Sequence, residues 1–251
     1  MEKVLLYSVP SPADGDKRAA AIIAAAGDYT RMNGINKQFA LLDGVPVIAH
    51  AVKAFQQADS IREIVIAAKR EDIPRIADIC REYGFSKVSA IAEGGRTRQQ
   101  SVLNGIRCVQ ADTRYFAVHD GARPLVKPEL IDKVVRHAWE YGAAVAAAKC
   151  KDTVKKADTA GFVEETPDRR SLWIAQTPQV FESGLYIRAA ESAEAAREVF
   201  TDDSQLIERL GHRVFLVEGD YENIKITTPE DILVAECIIK SRKQFAAGEE
   251  G

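Results

Sequence analysis

The first apolar run of the chain ends in small residues, Ala25-Ala26-Gly27, and leads into a polar loop that carries two cations, Arg31 and Lys37. Small side chains let a ligand approach the backbone closely, and consecutive N–H groups suit phosphate oxygens. Arginine offers a planar fork for two such oxygens, and lysine a compact point charge. The spacing is neither that of the G-x-x-x-x-G-K-[ST] loop nor that of the G-x-G-x-x-G loop. Taken alone, the loop is equally compatible with an ordinary strand-to-helix turn bearing two solvated cations. Further on, Gly94-Gly95 precedes Ser101, a pattern that also reads as a turn followed by a helix cap. Asp120 stands where an apolar run ends, which suits contact with Mg²⁺ or a substrate hydroxyl, or else capping of the next turn. His119 reads as a packed strand-end histidine. No Ser-His-Asp or Cys-His arrangement stands out. Cys80, Cys108, Cys150 and Cys237 are scattered without a CxxC pair, a pattern that does not make a zinc site.

The elements that must position these residues follow from hydrophobic pattern. Strand-like runs occupy Ala20–Ala26, Glu63–Ala68, Lys87–Ala92, Tyr115–His119 and Ala143–Ala148. Between them, Val47, Ile48, Ala51, Val52 and Phe55 share one helical face, as do Val102, Leu103, Ile106 and Val109, and Leu130, Ile131, Val134, Val135 and Ala138. Continuous apolar strands alternating with such helices predict an α/β fold whose mainly parallel sheet has helices on both faces. Ligands then belong at the carboxyl ends of the strands. The alternation fails over residues 149–170, whose polar strands around a turn at Asp158–Gly161 predict a projecting β-arm. Thr228-Pro229-Glu230-Asp231 predicts a helix start with Thr228 as cap. Residues 1–18 read as a loose extension, 19–242 as one domain, and 243–251 as a flexible tail.

Composition narrows the function classes. Of 251 residues 46% are hydrophobic and 28% charged, near the averages of a soluble globular chain, and the formal net charge is −3. That balance argues against a nucleic-acid partner, which selects a basic surface. No apolar run approaches the ~20 residues that cross a bilayer, and Val4–Val9 is too short for a secretory signal. A cytoplasmic location and no membrane partner are the resulting expectations.

Five segments in order carry a more specific signal. They are Lys37-Gln38-Phe39 with its loop; Glu93-Gly94-Gly95 with Arg98-Gln99-Gln100-Ser101-Val102; Val118-His119-Asp120-Gly121-Ala122-Arg123-Pro124; Asp168-Arg169 with Leu172-Trp173 and Gln176-Thr177-Pro178-Gln179; and Thr201-Asp202-Asp203 with Asn223-Ile224-Lys225-Ile226-Thr227. Together they resemble the 2-C-methyl-D-erythritol 4-phosphate cytidylyltransferase family of the sugar-phosphate nucleotidylyltransferases, across about residues 19–240. The resemblance implies a Rossmann-like domain that transfers CMP from CTP to a small sugar-alcohol phosphate and releases pyrophosphate, in non-mevalonate isoprenoid precursor synthesis. Tyr29 departs from the family, which places a second glycine there.

By the same resemblance, Ala25, Ala26 and Gly27 cradle the triphosphate, and Arg31 and Lys37 stabilise the pentavalent transition state. Gly94, Gly95 and Ser101 read cytosine. Asp120 and Arg123 face the substrates, Arg169 and Lys225 hold the incoming phosphate in line, and Thr153, Thr177 and Thr201 add hydroxyl contacts. Mg²⁺ is the implied cofactor, held mainly by CTP phosphates and water with Asp120 as its protein ligand. The arm implies a homodimer whose active sites are shared between subunits. Rival readings are a ribitol-5-phosphate cytidylyltransferase, for which the loop is similar, and a nucleotide-binding relative with weakened turnover, for which Tyr29 is the motive.

Overall fold

A computed structural model describes residues 16–27, 36–196, 198 and 200–249. Arg31 and Tyr29 lie outside the described residues, as does most of the 1–18 segment.

Beside a short hairpin of β2 (Leu41–Leu42) and β3 (Val45–Pro46), a central sheet is built from β1 (Ala19–Ala24), β4 (Ile61–Ala68), β5 (Val88–Glu93), β6 (Tyr115–Asp120), β7 (Ala143–Lys149), β10 (Trp173–Glu182) and β11 (Phe215–Glu218). Their spatial order is β11-β7-β10-β6-β1-β4-β5. β1 pairs in parallel with β4 and β6, as do β4 with β5 and β11 with β7, whereas β10 runs antiparallel to both β6 and β7. The five strands expected from apolar runs are present with ends moved by one or two positions. β10 and β11 were not foreseen.

Between the strands lie α1 (Val47–Gln57), α2 (Ile73–Glu82), α3 (Arg98–Ile106), α4 (Pro128–Tyr141), α5 (Ser183–Ala196), α6 (Ser204–Arg209) and α7 (Pro229–Glu249). Strand alternation divides the core between the two faces of the sheet. Ala21 and Ile23 of β1 pack with α1 and α4 residues such as Phe55 and Val134. Ile22 faces the other way, onto Val102 of α3 and Tyr186 of α5. α7 buries Ala235 over a third cluster with Leu42, Val47 and Leu125.

Helix ends follow local chemistry. Gly142, at φ 76°, ends α4 in the left-handed conformation that glycine adopts without a Cβ penalty. At the start of α7 the Asp231 carboxylate accepts the N–H groups of Thr227 and Thr228 at 2.7 and 2.8 Å, the reach-back contact of a capping box with Thr228 at the cap position. α7 then runs to Glu249, carrying helix through most of the stretch expected as a tail, because Lys243-Gln244-Phe245-Ala246-Ala247 holds no helix breaker.

The arm is a two-stranded antiparallel ribbon, β8 (Lys156–Ala157) with β9 (Val163–Glu165). Its turn is held by Asp158, whose Oδ1 accepts from the backbone of Ala160 and Phe162 at 2.9 Å. Both strands are exposed, with Phe162 73% accessible, so the ribbon projects from the domain without packing on it.

Candidate active site

A cleft of about 440 Å³ opens at the carboxyl ends of β1, β4, β5 and β6, the end that parallel topology predicts. Its walls include Ala26, Gly27, Lys37, Gly94, Gly95, Ser101, Asp120 and Lys225.

Lys37 reaches the cleft from a short 3-10 turn, Lys37–Phe39. Asn36 caps that turn by accepting from the Gln38 backbone N–H at 3.1 Å, and its amide donates to Asp72 at 3.0 Å. The Arg75 guanidinium of α2 lies over the Phe39 ring, 4.1 Å from its centroid. The cation is thus carried on a turn anchored at both ends. Gln38 is buried in the same wall, and its Oε1 has no hydrogen-bond partner among the described residues.

Opposite, the Gly94–Gly95 turn is shaped by Ser101. Its hydroxyl donates to the Thr97 carbonyl at 2.9 Å and accepts from the Gly95 N–H at 3.0 Å, so it first organises the turn and keeps one lone pair for a ligand. A Cβ on Gly94 would lie 2.3 Å from the Ala26 Cβ, and one on Gly95 2.3 Å from the Gln100 Cβ, so both positions require glycine. Gly27, by contrast, has open space where a Cβ would stand.

Asp120 is the electrostatic centre. Lys225 Nζ is 2.7 Å from one carboxylate oxygen, Arg98 Nε 3.0 Å from the other, and Arg123 Nε 3.8 Å away. Burial by itself would raise the Asp120 carboxyl, but Arg98, Lys225 and Arg123 outweigh it and hold the group well below the usual carboxylate range. Asp120 is therefore an anion matched by cations.

Behind Asp120 runs an ordered chain of hydrogen bonds. The Asp120 N–H donates to Thr177 Oγ1 at 3.1 Å, and the Thr177 hydroxyl lies 2.9 Å from His119 Nδ1. The Arg123 carbonyl, 3.2 Å from His119 Nε2, fixes the proton on that nitrogen. His119 is wholly buried, and burial pushes its ring down to about 3, so it is neutral and packed, as its sequence context suggested.

Several residues expected at the site stand elsewhere within the single chain. Ala25 is buried beneath the cleft, its N–H bonded to the Ala67 carbonyl at 2.8 Å. Thr177 is 3% exposed and its hydroxyl is spent on Asp120 and His119. Arg123 donates to the Asn223 carbonyl at 2.7 Å and the Ala175 carbonyl at 3.5 Å, so its fork braces the loop before Lys225. Thr201 bonds Gln205 Oε1 through its N–H at 3.1 Å and is exposed, a helix-start contact. Thr153 and Arg169 sit on the exposed arm, outside the cleft walls, with Arg169 donating to the Lys151 carbonyl at 3.0 Å. Of the four cations expected to converge on the phosphates, Lys37 and Lys225 line the cleft, Arg169 stands on the arm outside it, and Arg31 lies outside the described residues.

Arg98 is a residue whose role the sequence alone does not reveal. It lines the cleft and bonds both Asp120 and Asp203. A signal was present: Arg98 is the first residue of α3, and a cation there faces the positive end of the helix dipole, an unfavourable placement that two carboxylates offset.

Metal donors are sparse. Among the described residues no three His, Cys, Asp or Glu side chains gather to hold an ion. Asp120 is the carboxylate in the described cleft wall, which fits a single protein ligand to an ion held mainly by substrate oxygens and water. No helix among the described residues is long and apolar enough to cross a membrane.

The family model for 2-C-methyl-D-erythritol 4-phosphate cytidylyltransferase matches residues 19–241. The enzyme of that name from Caldanaerobacter subterraneus is 45% identical over 223 residues, covering 88% of this chain and 98% of the relative. The Geobacillus kaustophilus protein of the same name is 44% identical over 223 residues, covering 88% and 97%. Among solved structures, the 4-diphosphocytidyl-2C-methyl-D-erythritol synthase of Anaerococcus prevotii superposes with a TM-score of 0.81 at 32% identity, covering 90% of this chain and 97% of its own. The Thermus thermophilus cytidylyltransferase gives 0.73 at 29% identity, covering 89% and 99%. A cleft of this design and matches along nearly the whole domain lead to one assignment: the chain belongs to the 2-C-methyl-D-erythritol 4-phosphate cytidylyltransferase family.

Proposed function

We infer that the cleft carries out CTP-dependent cytidylyl transfer to 2-C-methyl-D-erythritol 4-phosphate with release of pyrophosphate, the reaction for which the family is named. The observation that carries this reading is the placement of Lys37 and Lys225 in one cleft, between the Gly94–Gly95 turn and Asp120. The turn presents backbone groups to a pyrimidine edge, and its tight contacts leave no room for side chains that would block close approach.

The acceptor phosphate oxygen attacks the α-phosphorus of CTP in line, and the P–O bond to the leaving pyrophosphate breaks. Such transfer needs positioning and fixed positive charge rather than a protein nucleophile. Lys37, with Arg31 from the same loop, neutralises charge growing on the α-phosphate. Lys225, held on Asp120 in the free protein, supplies the cation for the incoming phosphate. Mg²⁺, with Asp120 as its protein donor, would neutralise charge on the CTP phosphates.

Arg169 and Thr153 complete the acceptor side from the arm of a second copy, in a homodimer. The exposure of the whole ribbon and its apolar tip, Phe162 and Val163, supports that reading. CTP, Mg²⁺ and either 2-C-methyl-D-erythritol 4-phosphate or ribitol 5-phosphate are to be incubated with the protein while pyrophosphate is followed. Release with the first acceptor and not the second is expected. Preference for ribitol 5-phosphate, or CTP binding without release, would overturn the assignment.

A further inference from the structure

Arg98 is held from two sides. Its Nε donates to Asp120 Oδ1 at 3.0 Å and its Nη1 to Asp203 Oδ2. Asp203 is 1% exposed and stands immediately before α6, so this carboxylate has been taken out of water at considerable desolvation cost. Its second oxygen accepts from the Tyr186 hydroxyl at 2.7 Å, and Tyr186 is itself completely buried. The backbone N–H groups of Asp203 and Ser204 each donate to Gln179 Oε1 at 3.1 Å, which fixes where the carboxylate can stand. A continuous path of charge-assisted bonds therefore runs Tyr186–Asp203–Arg98–Asp120–Lys225, from the core under α5 to the mouth of the cleft.

Capping α6 does not require this arrangement. Asp202 already accepts the Gln205 N–H at 3.1 Å, and Gln179 takes the two N–H groups before it. The carboxylate of Asp203 is directed instead at Arg98. Arg98 lines the cleft, and its Nη2 makes no hydrogen bond among the described residues. With two of its three nitrogens tied to carboxylates, the guanidinium cannot swing, and the remaining edge is presented in a fixed direction. The balance of charge supports an anionic ligand: Arg98, Arg123 and Lys225 face Asp120 and Asp203, leaving one positive charge in excess.

We propose that Asp203, backed by the Tyr186 hydroxyl, is a positioning residue that sets Arg98 so that its open edge binds a phosphate oxygen of the nucleotide. The inference rests on the reading of the cleft as a CTP site. Preorganisation of this kind removes the entropy of ordering a long side chain at the moment of binding. It also ties the segment that carries Thr201 to the start of α3, so the two sides of the cleft share one buried charge.

The test is a double-mutant cycle on CTP affinity, measured by calorimetry with Mg²⁺ present, beside steady-state pyrophosphate release. Arg98→Gln and Asp203→Asn are each expected to weaken CTP binding about tenfold, and Tyr186→Phe about threefold, as befits single charge-assisted contacts and one neutral support. The double variant Arg98→Gln/Asp203→Asn is expected to bind within about twofold of Arg98→Gln alone, because Asp203 acts through Arg98. KM for the acceptor is expected to stay within about twofold in Asp203→Asn. Multiplicative losses in the double variant would overturn the proposal. So would an Asp203→Asn protein with unchanged CTP affinity and only a lower melting temperature. If Asp203→Asn does not fold, Tyr186→Phe, which keeps the core volume, completes the same cycle with Arg98→Gln. A wild-type protein that binds CTP with this coupling but releases no pyrophosphate would remove the transferase reading and leave the positioning role standing. One that binds no CTP would remove both.

Discussion

Asp120 has more cations around it than one carboxylate needs, and the reason lies in what each cation does next. Lys225 is partly open to the cleft, as its proposed role at the acceptor phosphate requires, whereas Arg123 is spent on two carbonyls and Arg98 on a second carboxylate. Lys225→Ala is therefore expected to lower kcat about 100-fold or more with a melting temperature within a few degrees of wild type, since the loss falls on transition-state charge. Turnover within threefold of wild type would remove Lys225 from the mechanism. Asp120→Asn should behave differently. It leaves the Arg98 and Arg123 guanidiniums without their shared counter-charge, at a cost on the order of 3 kcal/mol of folding stability readable by urea titration. At Gly94 the expected defect is steric: Gly94→Ala drives a Cβ into Ala26, so CTP binding and stability should fall together. Normal CTP affinity in that variant would sink the close-approach account of the turn. These roles were unevenly legible in sequence. Small residues and isolated cations announced the loop, but nothing in the chain shows that the Thr177 hydroxyl is consumed by Asp120 and His119, or that Arg123 turns inward. Both facts depend on partners about fifty to a hundred positions away.

At the scale of elements, continuous apolar strands and amphipathic helices were readable because burial on both faces writes an unbroken hydrophobic run. β10 escaped for the opposite reason. Gln176, Thr177 and Gln179 are buried polar residues in an inner strand, kept there by the network behind the site, so no unbroken apolar run marks the strand. β11 is short and mostly exposed, with only Val217 buried. The arm was legible because its polarity has no place in a core. The shared site proposed for it predicts intersubunit complementation. Mixing Arg169→Ala with Lys37→Ala protein, each inactive, is expected to restore about a quarter of wild-type activity after subunit exchange, through the hybrid dimers that hold one intact site. No recovery, in a mixture shown to exchange, would place Arg169 outside the partner's site.

The whole molecule answers to pH through groups that the fold keeps out of water. His119 has a value of about 3 in the fold against 6.5 when unperturbed, chiefly because burial disfavours its charged form. Below pH 6.5 the unfolded chain gains a proton that the folded chain refuses. Stability is thus complete above that pH and lost as pH falls toward 3, by on the order of 1 kcal/mol per pH unit for this one group. His50 is also pushed down, chiefly by burial, and adds to the same trend. Chemical unfolding between pH 7 and 5 is expected to show the decline, and His119→Gln to flatten it; an unchanged slope in that variant would assign the loss to other groups.

β10 has one further consequence. Because it runs against its neighbours, the ribbon that leaves the end of β7 comes back to the sheet at that same rim, with Trp173 paired to Lys149 and Ile174 to Ala148. The arm is moored at both feet while its tip hangs clear of the domain. Residues added or removed around Asp158–Gly161 would change the length of the arm while the pairing of β7 with β10 at its base stays as it is.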